Sequence, residues 1–306
     1  MIEYWSRAHQ RLETEQVYGE AGVAWLYENP LGQLASAPLA SAWVSKAYGA
    51  YQSTRASAGK IAGFIERFKI PMQDYVEPPG GFRSFNDFFI REFRAGRRPI
   101  ASAKTDMAAF AEARYYGWRS VRDEQVFPVK GQFLSARALL GYAEGRSGVG
   151  RVEDFMGGPL LLARLCPVDY HRFHFPDDGR VLETGRVAGR YHSVNPVALR
   201  RHPEILATNE RQVTILETRN FGKLAYIEVG AIMVGKIVQT FVAANGSADP
   251  LAFTRGQEKG YFLFGGSTVI VLGQPGAWEP ASDILKQTGE QREVLVRVGE
   301  TIANHL

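Results

Sequence analysis

"RQVTILETRNFGKLAYIEVGAIMVGKIVQTFVA", residues 211–243, decides the fold of this 306-residue chain. Its β-branched and aromatic residues recur at a period near two, with Asn220-Phe221-Gly222 breaking the run as a turn. It therefore reads as strand, turn, strand and further strand. "GRVLETGRVAG", residues 179–189, and "STVIVLG", residues 267–273, add strands, and the period of two begins near residue 105. Upstream the period is helical: "EQVYGEAGVAWLYENPLG" from Glu15, "SAWVSKAYGAYQ" from Ser41, and "SAGKIAGFIERFKI" from Ser57, with Ile61, Phe64, Ile65 and Phe68 on one face. Pro78-Pro79-Gly80-Gly81 is a break. "SFNDFFIREFRAG" then reads as a short helix capped by Ser84, with Phe88, Phe89 and Phe93 as aromatic bulk. Brief helical signals return in "SARALLGYA" and "NPVALRRHPEIL". The expectation is an α+β chain: a helical region over 1–95, then a β-rich, antiparallel core over 96–306, forming one cooperative unit.

Composition narrows the class. Apolar residues make up 45% and charged residues 22%, the profile of a globular protein with a sizeable core. The net charge of +4 suits an anionic partner. Its basic residues are scattered, not gathered in a stripe, which argues against nucleic acid. No run approaches the roughly 18 apolar residues of a membrane span, and "MIEYWSRAHQRLETEQ" lacks a signal peptide's apolar centre. The expected location is the cytosol or a membrane surface. The one cysteine, Cys166, excludes an intramolecular disulfide and fits a reducing compartment. It reads as a nucleophile or an inert core residue, and its neighbours in "LLLARLCPV" favour the core.

Phosphate loops, dinucleotide fingerprints, HExxH, paired CxxC and the GxSxG elbow are missing. What carries chemistry is "CPVDYHRFHFPDDGRV", residues 166–181, with His171 and His174 three apart. In an extended segment the two imidazoles face opposite ways and serve different purposes; a catalytic pair and two structural histidines both remain open. Asp169, Asp177 and Asp178 read as turn and cap residues. In "FGGSTVIVL", from Phe264 to Leu272, Ser267 is either turn chemistry or a reactant. A serine after glycine can turn its Oγ onto the preceding carbonyl, given a base for its proton and donors for the oxyanion.

Taken in order, these segments resemble the phosphatidylserine decarboxylase proenzymes over nearly the whole chain. "ETEQVYGEAGVAWLYENPLGQL" is similar to the family's leading helical segment, and "KIAGFIERFKI" and "SFNDFFIREFRAGRRPI" to its pre-catalytic region. "CPVDYHRFHFPDDGRV", "YHSVNPVALRRHPEILATNERQVTILET" and "IEVGAIMVGKI" follow at similar intervals, and "EKGYFLFGGSTVIVL" resembles the self-cleavage site. The resemblance implies a zymogen in which Ser267 attacks the carbonyl of Gly266, converting the peptide link to an ester that elimination cleaves. Ser267 then becomes an N-terminal pyruvoyl group, with no PLP and no metal, and chains 1–266 and 267–306 stay associated. It implies His174 as the base for Ser267 and His171 as the proton carrier in decarboxylation.

The acidic partner departs from the family pattern. Pro-Ala-Asp-Gly is usual there, and here "FAEAR" sets Glu112 in the aspartate's position; a shifted register would set Tyr116-Gly117 there instead. The activity implied is conversion of phosphatidylserine to phosphatidylethanolamine and CO2. The enzyme would act peripherally at the anionic, cytoplasmic face of a membrane, as a homodimer, with a barrel-sandwich core. The apolar and basic residues of the helices near 35–75 suit the headgroup region or simple packing on the core. Two alternatives stand beside this: a pyruvoyl-dependent decarboxylase of free, including aromatic, amino acids, and an unprocessed lipid-binding relative without catalysis.

Overall fold

The structure, a computed structural model, describes residues 2–15, 42–121, 135–144, 146–194, 198–199, 204–231, 236–241, 252–265 and 267–306. The expected helix from Glu15 to Gly32 beyond its first residue, most of "NPVALRRHPEIL", and Gly266 lie outside the described residues.

"LLLARL" and "STVIVLG" are apolar runs without alternation, as befits strands covered on both faces. They form β5 (Leu160–Leu165) and β13 (Ser267–Gly273), every residue of both buried. The two pair antiparallel, Ser267 opposite Leu165 and Thr268 opposite Arg164. On its other side β13 pairs with β9 (Lys223–Val229), Val269 opposite Glu228. Beyond β9 lie β8 (Arg211–Thr218), β7 (Gly179–Val187) and the two-residue β11 (Ala252–Phe253). Beyond β5 lie β4 (Ala113–Trp118), β15 (Glu293–Val296), β1 (Glu3–Ser6) and β2 (Arg11–Thr14), completing a ten-stranded sheet. The turn read at Asn220-Phe221-Gly222 joins β8 to β9, and Gly222 takes φ 66° there, a left-handed conformation that suits glycine.

Two results differ from the expectations above. The chain opens as a hairpin, and β1 joins the sheet parallel to β15, Tyr4 opposite Glu293, in otherwise antiparallel surroundings. The sheet also does not close into the implied barrel-sandwich: among the described residues β11 and β2 are its open edges. The mostly polar "RLET" of β2 discourages further pairing. Two three-stranded sheets complete the β structure. One orders β10 (Ile237–Gln239), β12 (Glu258–Phe262) and β6 (Arg172–His174); the other orders β14 (Trp278–Pro280), β16 (Thr301–His305) and β3 (Asp106–Ala108).

Helices α1 (Ala42–Gln52), α2 (Ile61–Phe68) and α3 (Phe85–Phe89) cover the end of β13. Ser84 caps α3, its Oγ accepting the Asp87 N–H at 3.1 Å. Phe64, Phe85, Phe88 and Phe89 gather around Phe264 and Tyr170 in an aromatic cluster, with Ile61, Ile65 and Phe68 packed against it. Burying each ring contributes about 1.5–3 kcal/mol, which seats this layer on the segment entering β13. Asn86 ties it down further: its Oδ1 accepts the Phe264 N–H at 2.7 Å and its Nδ2 donates to Gly49 O at 3.2 Å.

Candidate active site

Ser267 opens β13 and is fully buried. Before it, Gly265 takes φ 146°, a backbone conformation that excludes residues with a Cβ. Opposite Ser267, β5 ends at Leu165 and the chain turns through Cys166-Pro167-Val168-Asp169. The Asp169 N–H closes this turn on Cys166 O at 2.9 Å, and the Cys166 N–H donates to Asp169 Oδ2 at 2.7 Å. The returning chain delivers His171 beside the strand it has just left.

His171 Nδ1 lies 3.3 Å from Ser267 Oγ, and its Nε2 lies 2.8 Å from Cys166 O. A carbonyl only accepts, so Nε2 carries the proton and Nδ1 is left to accept from the serine hydroxyl. Phe89 covers the ring, centroids 3.8 Å apart and planes 22° from parallel. Burial lowers the pKa of His171 to about 3; the bond to Cys166 O opposes the shift and the charge of Arg91 adds to it. The imidazole is neutral at physiological pH, as a base must be to accept a proton.

His174 faces elsewhere. Its Nδ1 lies 2.9 Å from Gly256 O and its Nε2 lies 3.2 Å from Tyr170 Oη, so both nitrogens are engaged. Burial holds its pKa below the ordinary value as well. His171, not His174, is the histidine in contact with Ser267. Glu112 is gripped by Arg98, which donates from Nε to Oε2 at 2.5 Å and from Nη2 to Oε1 at 2.8 Å. The Arg98 guanidinium also reaches Asp74 at 3.2 Å and lies over Phe93. The structure thus brings Ser267 and His171 together, sets His174 beside Tyr170, and commits Glu112 to an arginine.

Sequence reading missed several participants. Arg91, buried under "FFIREF", donates from Nη2 to Val168 O at 2.9 Å and to Asp169 O at 3.1 Å, clamping the turn before His171. Arg114 donates to Asp169 Oδ2 at 2.6 Å. Arginines within apolar runs were the available signal, since a buried guanidinium must be satisfied. Cys166 is buried, its Sγ accepting from Arg164 Nη1 at 2.9 Å, and burial pushes its thiol pKa well up. Its burial fits the core alternative. Among the described residues no cluster of three or more His, Cys, Asp or Glu side chains has the spacing to hold a metal ion.

A neutral, buried imidazole beside a hydroxyl is able to take its proton and make a nucleophile of it. A sequence model of the phosphatidylserine decarboxylase family matches residues 85–304. The chain is 34% identical over 307 residues to the phosphatidylserine decarboxylase proenzyme of Clostridium novyi, covering 100% of both chains. It is 35% identical over 302 residues to that of Clostridium tetani, covering 99% of this chain and 98% of the relative. To that of Fusobacterium nucleatum it is 36% identical over 304 residues, covering 99% and 97%. The chain belongs to the phosphatidylserine decarboxylase family, a family of carboxy-lyases.

Proposed function

We propose that this chain is a proenzyme that cuts itself between Gly266 and Ser267 and then decarboxylates phosphatidylserine to phosphatidylethanolamine and CO2. The contact of Ser267 Oγ with His171 Nδ1 carries this reading. His171 takes the hydroxyl proton as Oγ attacks the Gly266 carbonyl, and the acyl group moves from nitrogen to oxygen. Loss of the Ser267 α-proton then expels the Gly266 carboxylate. Water replaces the nitrogen of the dehydrated residue, releasing ammonia and leaving a ketone at position 267. The carbons of this group come from Ser267 and its ketone oxygen from water, and the ladder of β13 with β5 and β9 holds the residue that bears it.

The pyruvoyl ketone supplies the electron sink for loss of CO2. His171, beside the Ser267 side chain in the uncut chain, is the group suited to return a proton afterwards, while His174 and Tyr170 bond to each other nearby. The two chains stay together because 267–306 contributes β13 at the sheet's centre, β15 between β4 and β1, and β16 against β3.

Among the described residues no helix is long and apolar enough to cross a membrane. A lipid substrate is then met at the bilayer surface, and the helical layer over the site is the face for that encounter. Flotation with anionic vesicles tests it, and size-exclusion chromatography reads the homodimer.

The deciding measurement is intact mass of the purified protein beside Ser267→Ala. Two chains, 1–266 and a blocked 267–306, are expected from the wild type and one chain from the variant. A single unmodified wild-type chain overturns the reading. Assaying CO2 release from phosphatidylserine vesicles, free serine and tryptophan then separates the lipid substrate from a free amino acid.

A further inference from the structure

The hairpin at the start of the chain joins segments that lie far apart in sequence. β1 runs parallel to β15, with Trp5 opposite Val294 and Ser6 opposite Leu295, and the Arg7 N–H adds a bond to Leu295 O at 3.3 Å. The other side of β15 pairs with β4, Val294 opposite Tyr115. Among the described residues, β1 is therefore what keeps β15 from being an edge strand with open N–H and C=O groups. Arg7 then reaches further. Its Nε and Nη2 each donate to one oxygen of Asp283 at 2.9 Å, in the helix Ser282–Gly289, and its Nη1 donates to Thr301 O at 2.8 Å, where β16 begins. A forked arginine–carboxylate pair fixes geometry as well as charge.

We propose that this hairpin, residues 2–15, is a clasp on the segment 278–305, which, on the reading that the chain cuts itself before Ser267, belongs to the short chain that bears the pyruvoyl group. While the chain is whole, a strand that leaves its place returns in an intramolecular step at high effective concentration. Once the chain is cut the same strand can diffuse away, and contacts that cross the cut are what bring it back. The β1–β15 ladder and the Arg7 fork both cross it. β13 is held by β5 and β9 in either form, so the clasp acts on β15, β16 and the helix before them.

The far end of the hairpin is fastened inside the protein. The Glu15 N–H donates to Ile2 O at 2.8 Å, which closes the hairpin on itself. The Glu15 carboxylate accepts from Arg164 at 3.2 and 2.5 Å. Arg164 forks in turn onto Glu293 of β15, Nε to Oε1 at 2.8 Å and Nη2 to Oε2 at 2.6 Å. All three side chains are buried. Burial pushes the Glu15 pKa up, but the charges of Arg164 and Arg114 outweigh it and hold it at about 2. The carboxylate therefore stays ionised, and losing it would leave part of a buried guanidinium unpaired. One arginine on β5 thus links the last residue of the hairpin to the strand that the hairpin covers.

The test uses the full chain in two forms, with Arg7→Gln removing the fork and leaving the buried Glu15, Arg164 and Glu293 in place. In the Ser267→Ala chain, amide hydrogen exchange reads local opening. Residues 282–296 are expected to exchange about 10-fold faster in Arg7→Gln, the scale of losing charge-assisted hydrogen bonds, while β8 and β9 keep their rates. No change at 282–296 overturns the proposal, and so does a change spread evenly over β8, β9 and β15.

In the otherwise wild-type protein after scission, size-exclusion chromatography at falling concentration, with intact mass of each peak, reads how firmly 267–306 is retained. Arg7→Gln is expected to shed the short chain at about 10-fold higher protein concentration than the wild type. Equal retention overturns the proposal. If Arg7→Gln does not fold, Arg7→Lys, which keeps the charge and loses the fork, carries both measurements under the same criteria. A wild-type chain that never cuts itself would instead overturn the function proposed above, and the exchange result would still decide whether the hairpin holds β15.

Discussion

Phe89 lies flat against His171, ring centroids 3.8 Å apart, so a residue of the N-terminal helical layer forms one wall of a site built by the sheet. The same ring meets Phe264 edge-on at 5.0 Å, three residues before Ser267. Helix α3 therefore registers the imidazole and the strand entrance against each other.

Replacing Phe89 with Leu keeps apolar cover but removes the ring face. A loss of about 1 kcal/mol is expected, the scale of an aromatic pair, together with a His171 pKa that climbs from about 3 towards 6.5 as water gains access. Histidine NMR titration in the Ser267→Ala background reads the shift, and an unmoved pKa would show that Phe89 is not the desolvating wall.

The two histidines should separate cleanly. His171→Gln is expected to leave a single uncut chain on a denaturing gel, since it removes the imidazole nitrogen that lies at Ser267 Oγ among the described residues. His174→Gln and Tyr170→Phe break the same 3.2 Å bond. They should slow the reaction by similar factors, and their double variant should be no slower than the worse single one. Full additivity of the two would count against their acting through that bond.

Acid should weaken the fold in a histidine-dependent way. His171 is depressed from 6.5 to about 3, so on acidification the unfolded chain takes up its proton first. Its contribution to stability is complete above about pH 6.5 and is lost as pH falls towards 3. His174 acts in the same direction. Urea midpoints of Ser267→Ala and of Ser267→Ala with His171→Asn should therefore converge as pH is lowered through this window. A gap that stays constant would mean that His171 takes up its proton equally readily in the folded and unfolded chain.

Lys259 and Glu228 form a fully buried pair at 2.5 Å on the sheet face that Ser267 shares. The ammonium also donates to Thr214 Oγ1 and Gln239 Oε1. Burial lowers the pKa of Lys259 and raises that of Glu228. Lys259→Met alone should cost about 3–5 kcal/mol by stranding a buried carboxylate, and Lys259→Met with Glu228→Gln should recover most of it. Chemical denaturation in the Ser267→Ala background gives both numbers, and a double variant as unstable as the single one would mean the loss is of packing instead of charge.

Local chemistry was enough to find much of this protein. The apolar run of 267–273 marked β13, Asn220-Phe221-Gly222 marked its turn, and Ser84 marked the cap of α3, because each depends on neighbours a few residues away. The ordered motifs also carried the family. Which histidine reaches Ser267 was decided by the fold alone. His171 and His174 are alike in type and differ only in the direction set by the turn at Cys166-Asp169, which Arg91 and Arg114 hold from α3's flank and from β4. Glu112 carries the expected charge in the expected segment, and its pairing with Arg98 was set by the fold. The N-terminal hairpin's place beside β15 rests on a pairing nearly 290 residues away in sequence, Tyr4 with Glu293. Contacts made across such separations depend on how strands stack in space, and no local pattern of residue types encodes them.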